Sequence, residues 1–392
     1  MNEKALLDRI RKISREKEIV VQECLTKLFL ERFLVRLARS SFSDKFIFKG
    51  GFLLSYMIEI GRETSDLDFL LTKINAEEEE IIKAISQIIT EPSQDGFTFS
   101  FFKIEPLDQP HMNYPGFRIT LQIRLGRIRD NIKIDVGIGD VVEPQDRNIE
   151  LFEHKGKPIF EEEISLLVYP VETIFSEKLE TIISKATGNS RMKDYHDLFI
   201  LIQSKAIIDS EKLAISCSQT FSNRKTTLSL IAFDEEGVES LQKFWLGHLN
   251  KLATPHIVNF PTHIKEVIRE INSYMLELKL VTLGNIVAEM KGIQLLLYVK
   301  TAIFAGVDVN DNSRNDHRPL QMAIRNGDTE VARLLIEHGA QLEYRDRSWQ
   351  TPIVVAINNG QFEIARLLIK KGVPFNPYIP SLDFVYSNFY KF

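Results

Sequence analysis

The feature that most constrains this chain is a segment near its end that repeats every 33 residues. Arg318-Pro319-Leu320 is answered by Thr351-Pro352-Ile353, Gly327 by Gly360 and Gly339 by Gly372, and Gly306 precedes Gly339 by the same 33-residue interval. A period of this length encodes a supersecondary unit that cannot bury its apolar face alone. Each unit reads as a pair of short helices. Proline suits the first turn of the first helix, and the glycines end each helix. Ala332, Leu334, Leu335 and Ile336 then form a face that only a neighbouring unit can cover. Two such units alone are marginal, so the divergent stretch 283–310 is expected to act as a first unit. The aromatic-rich tail 378–392 is expected to cap the last.

The repeats occupy only the last part of 392 residues, a length that calls for two or three domains. With 44% apolar and 26% charged residues the chain has an ordinary globular composition and should fold throughout. A net charge of −5 excludes a protein that coats nucleic acid through bulk charge, leaving only local basic faces for any RNA contact. The two cysteines, Cys24 and Cys217, stand in no zinc-ligand or redox spacing. A reducing compartment, and hence a cytoplasmic protein, is the expectation. The N-terminus is charged and lacks an apolar signal core, and no run of 18 apolar residues occurs. A soluble protein without a membrane partner is therefore expected, and delivery into a host cell would require a non-Sec route.

Residues 1–40 carry Leu25, Leu28, Phe29, Phe33 and Leu37 at helical spacing, which predicts one long or two short amphipathic helices. From 46 to 140 the runs FIFK, DLDFLL, FTFSFFKI, FRITLQIRL and IKIDVGI read as strands, with AEEEEIIKAISQIIT as an acidic-capped helix between the second and third. From Pro170 to about Leu280 the apolar spacing becomes helical, with loops in 222–262. The expected fold class is an α/β core with a mixed sheet, a helical second lobe, and an all-α repeat array. The expected boundaries are 1–165, 166–280 and 283–380.

The chemistry concentrates in KGGFLLSYMIEIGRETSDLDFLL. Gly50 and Gly51 lie where a strand turns into a helix, so phosphate oxygens can approach backbone N–H groups there, and Ser55 adds a hydroxyl one turn later. Packing alone also explains such a glycine turn. Alternation places Asp66 and Asp68 on one side of a strand while Leu67 and Phe69 face the core. Two carboxylates on one face repel, and Mg²⁺ or Mn²⁺ relieves that, since such ions favour a few carboxylates plus phosphate oxygens. Asp135, on the polar face of IKIDVGI, offers a third metal ligand. A solvated strand start or strand edge accounts for each acid separately.

Further along, Lys178 on a helix can direct an ammonium at a β- or γ-phosphate, or simply be solvated. Asp194 and Asp197 share a helix face, while His196 reads as a helix-surface residue. Arg118, Arg124, Arg127, Arg129 and Lys133 form a basic stretch that suits either an RNA backbone or a solvated strand face.

Together these elements resemble the nucleotidyltransferase superfamily, and most closely its AbiEii/AbiGii toxin branch. The matching residues are Gly50, Gly51 and Ser55, then Arg62 and Thr64 before Asp66 and Asp68, then Asp135, then Lys178 in SEKLE, then Arg191, Lys193, Asp194 and Asp197 in RMKDYHDL. The resemblance implies transfer of a nucleoside monophosphate from an NTP to an acceptor hydroxyl, on an RNA or tRNA end or on a protein. It implies Asp66, Asp68 and Asp135 as metal ligands and catalytic acids, with Lys178 and Asp194 completing the site. Gly50, Gly51, Ser55, Arg62, Lys178 and Arg191 would bind the nucleotide. An antitoxin partner is a further implication. Two departures stand out: Glu63 adds a negative charge between Arg62 and Asp66, and the bulky Phe52 follows the glycines, where it is expected to narrow the turn. The C-terminal units resemble ankyrin repeats, which implies a protein partner. The alternative reading is a catalytically inactive, ankyrin-based binding adaptor.

Overall fold

The computed structural model describes residues 3–74, 77–107, 116–140, 142–160, 163–204, 207–252, 259–281, 283–284, 287, 292–304, 306–310, 318–346 and 348–374. The tail 378–392 lies outside them. The chain divides into two compact units. One comprises 1–184, 189–227 and 243–263, and the other 185–188, 228–242 and 264–392.

The first unit opens with two helices, α1 (Glu3–Lys17) and α2 (Val21–Arg39). The break between them follows Glu18, whose φ of +55° ends α1 in the left-handed region. Next come β1 (Phe46–Lys49), α3 (Gly50–Leu54), β2 (Asp66–Leu71), α4 (Glu78–Thr90), β3 (Thr98–Leu107), β4 (Gly116–Leu125) and β5 (Ile128–Ile138). All five strands expected between 46 and 140 are present, as is the acidic-capped helix. Four strands lie beyond those expected: β6 (Gln145–Glu150), the short hairpin β7 (Glu153–His154) and β8 (Lys157–Pro158), and β9 (Glu163–Val168). The main sheet has seven strands in the order β3-β4-β5-β2-β1-β9-β6 and is mixed, with β2–β5 and β1–β9 parallel and its other pairs antiparallel.

One sheet face carries the apolar half of each alternating strand, including Phe46, Phe48, Leu67, Phe69, Ile119, Leu121, Ile134 and Val136, and is fully covered. The buried stripe of α2 lies over it: Phe33 meets Phe69 and Phe99, and Phe29 meets Phe97. Burial of these rings is the main stabilising term of this layer. Charged side chains also sit inside it, and Arg36 and Asp95 form the closest pair, with Arg32 3.8 Å from the same carboxylate. Arg36 donates twice to the Asp95 carboxylate (2.9 and 3.0 Å) and once to the Phe97 carbonyl, while Asp95 also accepts the Phe97 N–H. Such a pair stabilises only because every strong donor and acceptor finds a partner.

Helices α5 (Val171–Lys185), α6 (Met192–Gln203) and α7 (Ser210–Asn223) follow, then α8 (Glu235–Leu249). Asp209 caps α7 by accepting the N–H groups of Glu211 and Lys212. Among the described residues no helix is long and apolar enough to cross a membrane. Cys24 and Cys217 are buried free thiols, and burial pushes the Cys217 thiol up to about 11.

The second unit holds α9 (Ile264–Glu277), α10 (Gly292–Phe304) and the helix pairs α11 (Pro319–Asn326) with α12 (Thr329–Glu337) and α13 (Pro352–Asn358) with α14 (Phe362–Lys370). Pro319 and Pro352 open their helices, and Gly327 ends α11 at φ +81°. Ala332, Leu335 and Ile336 are buried and Leu334 is half-buried, as a stacked array requires. Side-chain amides tie unit to unit: Asn359 donates to the Ile324 carbonyl (3.2 Å) and Asn326 to that of Val287 (2.8 Å), which joins the divergent stretch to the array.

The internal ion pair gives a direct test of the first layer. Replacing Asp95 by Ala strands a buried guanidinium and should destabilise the protein by about 3–5 kcal/mol in chemical denaturation. A change below about 1 kcal/mol would mean that water reaches Arg36.

Candidate active site

The sheet register sets the site. Lys49 on β1 lies opposite Asp68 on β2, Asp68 opposite Asp135 on β5, Asp135 opposite Arg118 on β4, and Arg118 opposite Glu105 on β3. Residues directly opposed across strands share a face, so these side chains form one charged row on the face away from the packed layer. Asp66 joins them from two positions earlier on β2, while Leu67 and Phe69 between and after the acids are fully buried on the other face.

This row places like charges together. The Asp68 carboxyl is raised to about 7, by burial first, then by Asp66 and Asp135, with Lys49 and Lys178 opposing. Arg118 holds Asp135 through two hydrogen bonds of 2.7 and 2.6 Å. That leaves Asp66 and Asp68 as the under-neutralised pair. Their donor set fits a hard divalent cation, and their mutual repulsion gives one a reason to bind. Of the three expected metal ligands, then, Asp135 is engaged by an arginine. Among the described residues no group of three or more His, Cys, Asp or Glu side chains stands in an ion-holding arrangement.

The glycine turn is dictated by its neighbours. Gly50 has φ +78°, and a Cβ there would overlap the Asp68 carboxylate. A Cβ on Gly51 would come within 2.5 Å of Arg62 Nη2. The turn is thus sandwiched between a carboxylate and a guanidinium, which only glycine permits. Ser55 donates its hydroxyl to the Phe52 carbonyl at 2.7 Å, closing the end of the short α3. One expectation is corrected here. Phe52 is buried against Phe48 and Tyr56, so its bulk goes into the core and does not narrow the turn.

Helices α5 and α6 contribute the remaining groups. Lys178 pairs with Asp194 Oδ1 (3.1 Å) and Asp197 Oδ2 (2.8 Å). Arg62, from the loop before β2, clamps Asp197 through two bonds of 2.7 Å each. These cations hold the Asp197 carboxyl well below the usual range, against its burial. Asp194 is less saturated: Oδ2 accepts no hydrogen bond, although Arg191 Nε stands 3.3 Å away on a side chain 62% exposed. Lys178 is therefore no solvated helix lysine, and the two acids of α6, both buried, separate into a fully paired Asp197 and an Asp194 with one oxygen free of hydrogen bonds.

His196 is also corrected. It lies fully buried, not on a helix surface, donating Nε2–H to the Ile60 carbonyl at 2.6 Å. Its Nδ1 faces His248 Nε2 at 2.9 Å. Burial lowers the imidazole to about 4, so it is neutral and its Nδ1 accepts from His248. Together, Arg62–Asp197 and Ile60–His196 pin the loop that delivers Asp66 and Asp68. Glu63, in the same loop, turns towards Glu23 of α2, whose carboxyl is raised to about 7 by burial and by Glu63.

Sequence reasoning missed one component. Lys49 Nζ is held by Asp140 (3.1 Å), both oxygens of Glu177 (3.2 and 3.1 Å) and the Tyr169 hydroxyl (3.3 Å). Arg224 shares Asp140 and Glu177 and pairs with Glu180 at 2.8 Å. The only local signal for Lys49 was its place immediately before the glycines. Among the expected basic stretch, Arg118 is engaged by Asp135, whereas Arg124, Arg127, Arg129 and Lys133 are exposed.

Residues 32–266 match the family described as nucleotidyl transferase AbiEii toxin, type IV TA system, which is more than half of the chain. Residues 287–378 match ankyrin repeats in three copies. No curated protein matches the chain. Among solved structures, a candidate nucleotidyltransferase from H. pylori is similar with a TM-score of 0.39 and 13% identity, over 66% of this chain and 96% of that one. JHP933 from Helicobacter pylori is similar with a TM-score of 0.36 and 16% identity, over 65% of this chain and 90% of that one.

The raised Asp68 carboxyl has a measurable signature. A carboxyl that holds its proton more tightly folded than unfolded makes stability fall as pH rises from about 4 to about 7. In the presence of a chelator, Asp68→Asn should therefore be the more stable protein at pH 8, by on the order of 2 kcal/mol, with the gain fading towards pH 4. An equal difference at both pH values would show that the Asp68 carboxyl is not raised.

Proposed function

Because the chain belongs to the AbiEii family of nucleotidyl transferase toxins, we propose that its charged sheet face moves a nucleoside monophosphate from an NTP to an acceptor hydroxyl. The chain is a toxin-like nucleotidyltransferase carrying C-terminal ankyrin repeats, and the geometry suggests how its residues divide the work. The observation that carries the proposal is the row in which Asp68 stands between Asp135 and Lys49, beside a turn that admits only glycine.

In the reaction the acceptor oxygen attacks the α-phosphorus, the bond from that phosphorus to the bridging oxygen breaks, and pyrophosphate leaves. Asp66 and Asp68, with Asp135 opposite, would hold Mg²⁺ or Mn²⁺, which supplies the positive charge that lets a triphosphate share a face with carboxylates. The backbone N–H groups of Gly50 and Gly51 line the phosphate approach, free of any Cβ. Lys178 and Arg62 contribute positive charge from behind the turn while remaining tied to Asp197. Arg191, on an exposed side chain, is placed to reach the outer phosphates. Asp194, whose buried Oδ2 accepts no hydrogen bond, is the candidate to orient the acceptor hydroxyl. Ser55 has no phosphate role in this scheme.

An RNA acceptor, such as a tRNA end, is favoured by charge on the same face. Lys133 lies opposite Asp66 across β2 and β5, and Arg129 and Arg124 follow it, all exposed. The family points to an antitoxin partner, and the ankyrin array suits a further protein partner or a protein acceptor. The free buried thiols suit a reducing, cytoplasmic setting.

The test incubates the protein with each labelled NTP, Mg²⁺ and a cell extract, then separates RNA from protein. Label should enter RNA and vanish in the Asp66→Ala/Asp68→Ala variant, while Lys178→Ala should slow transfer about 10²-fold or more. Label in protein would reassign the acceptor. No label with any nucleotide would overturn the proposal.

A further inference from the structure

A lysine directly across a strand pair from a carboxylate is well placed to close an ion pair with it, since the Cβ atoms of opposed residues stand about 4.5–5.5 Å apart. Lys49 on β1 is opposed in this way to Asp68 on β2. Yet among the described residues no cation, Lys49 included, forms an ion pair with Asp68. Arg118 and Asp135, opposed in the same manner at the other end of the row, do pair, through two short hydrogen bonds. The difference lies in what else holds the lysine.

An ammonium carries three N–H groups, and three residues other than Asp68 take those of Lys49. Its Nζ stands 3.1 Å from Asp140 Oδ2, 3.3 Å from the Tyr169 hydroxyl, and 3.2 and 3.1 Å from the two Glu177 oxygens. Burial opposes the charge, but Glu177, Tyr169 and Asp140 more than offset it and hold the ammonium well above the usual lysine range. The anchors are themselves fixed. Arg224 reaches Asp140 at 3.3 Å and Glu177 at 3.5 Å, and is held in turn by Glu180 at 2.8 Å, one turn along α5 from Glu177. The other Glu180 oxygen accepts from the Thr226 hydroxyl at 2.7 Å. If Lys49 served only to neutralise the acids of the sheet, two more carboxylates around it would work against that purpose. As restraints they have a purpose.

We propose that Asp140 and Glu177 are positioning residues for nucleotidyl transfer, which hold Lys49 off Asp68 and so keep that carboxylate open to the cation that accompanies the NTP. The inference rests on the transfer reading given above and adds two residues to it. Without the anchors the lysine closes on Asp68, and an arriving cation must first displace it. Glu177 and Lys178 are consecutive on α5, so the turn that restrains one lysine also sets the other against Asp194 and Asp197.

A mutant cycle on the full chain tests this, with binding of Mn²⁺ and a non-hydrolysable NTP followed by electron paramagnetic resonance. The isosteric pair Asp140→Asn/Glu177→Gln should weaken Mn²⁺ binding by about tenfold or more while Lys49 is present. In a Lys49→Met background the same pair should cost less than about twofold, because no ammonium is left to close on Asp68. Asp140→Asn alone should show the same dependence on Lys49 with a smaller amplitude. In transfer assays the anchor variants should need more Mn²⁺ for half-maximal rate yet approach the wild-type rate at saturation, whereas structural damage would lower the maximum itself. An equal loss of binding with and without Lys49 would show that the acids act only through their charge or their packing, and would overturn the inference while leaving the transfer reading intact. Wild-type Mn²⁺ binding that survives Asp66→Ala/Asp68→Ala would remove that reading, and this inference with it.

Discussion

Three carboxylates on one side of a sheet repel one another, and much of the first unit is arranged around that repulsion. Register alone imposes it: once β2 lies between β1 and β5, Asp66, Asp68 and Asp135 cannot face apart without exposing Leu67, Phe69, Ile134 and Val136. The surrounding cations answer it unevenly. Arg118 neutralises Asp135 directly, Lys49 and Lys178 act on Asp68 while bound to other acids, and the Asp68 carboxyl stays raised to about 7. A face left short of positive charge beside a Cβ-free turn is suited to a cation that arrives with a triphosphate.

Helix α6 holds this arrangement in place. Its Asp197 takes Arg62 and Lys178, and its His196 takes the carbonyl of Ile60, so one helix turn holds the loop that leads into β2 at two points. The same Arg62 closes the far side of the glycine turn. Substitutions on α6 are thereby coupled to the position of Asp66 and Asp68. Asp197 is fully paired while Asp194 keeps one oxygen without a hydrogen bond, a difference that their spacing alone does not reveal.

Much of this was legible in the sequence, for physical reasons that also explain what was not. Strands β1 to β5 alternate strongly because one face is packed and the other is polar, and the 33-residue period survives because every repeat faces the same packing problem. β6 escaped notice because QDRNIE is an edge strand with Ile149 as its only buried residue. His196 was misread because α6 is buried nearly all round, so helical spacing has no solvent face to reveal. Lys49 and its partners were invisible locally, since Asp140 and Glu177 lie 91 and 128 residues away. Phe52 shows the opposite error: proximity to the motif suggested an effect on the turn, while its contacts belong to the core.

The most direct measurement is calorimetric titration of the full chain with Mg²⁺ or Mn²⁺ and a non-hydrolysable NTP at pH 7, in two buffers of different ionisation heat. If burial and the neighbouring acids hold the Asp68 carboxyl at about 7, binding should release about half a proton from it. Asp68→Asn should abolish the release. Binding with no proton release, or release unchanged in Asp68→Asn, would contradict the claim that carboxylate repulsion on this face is what the cation and nucleotide relieve.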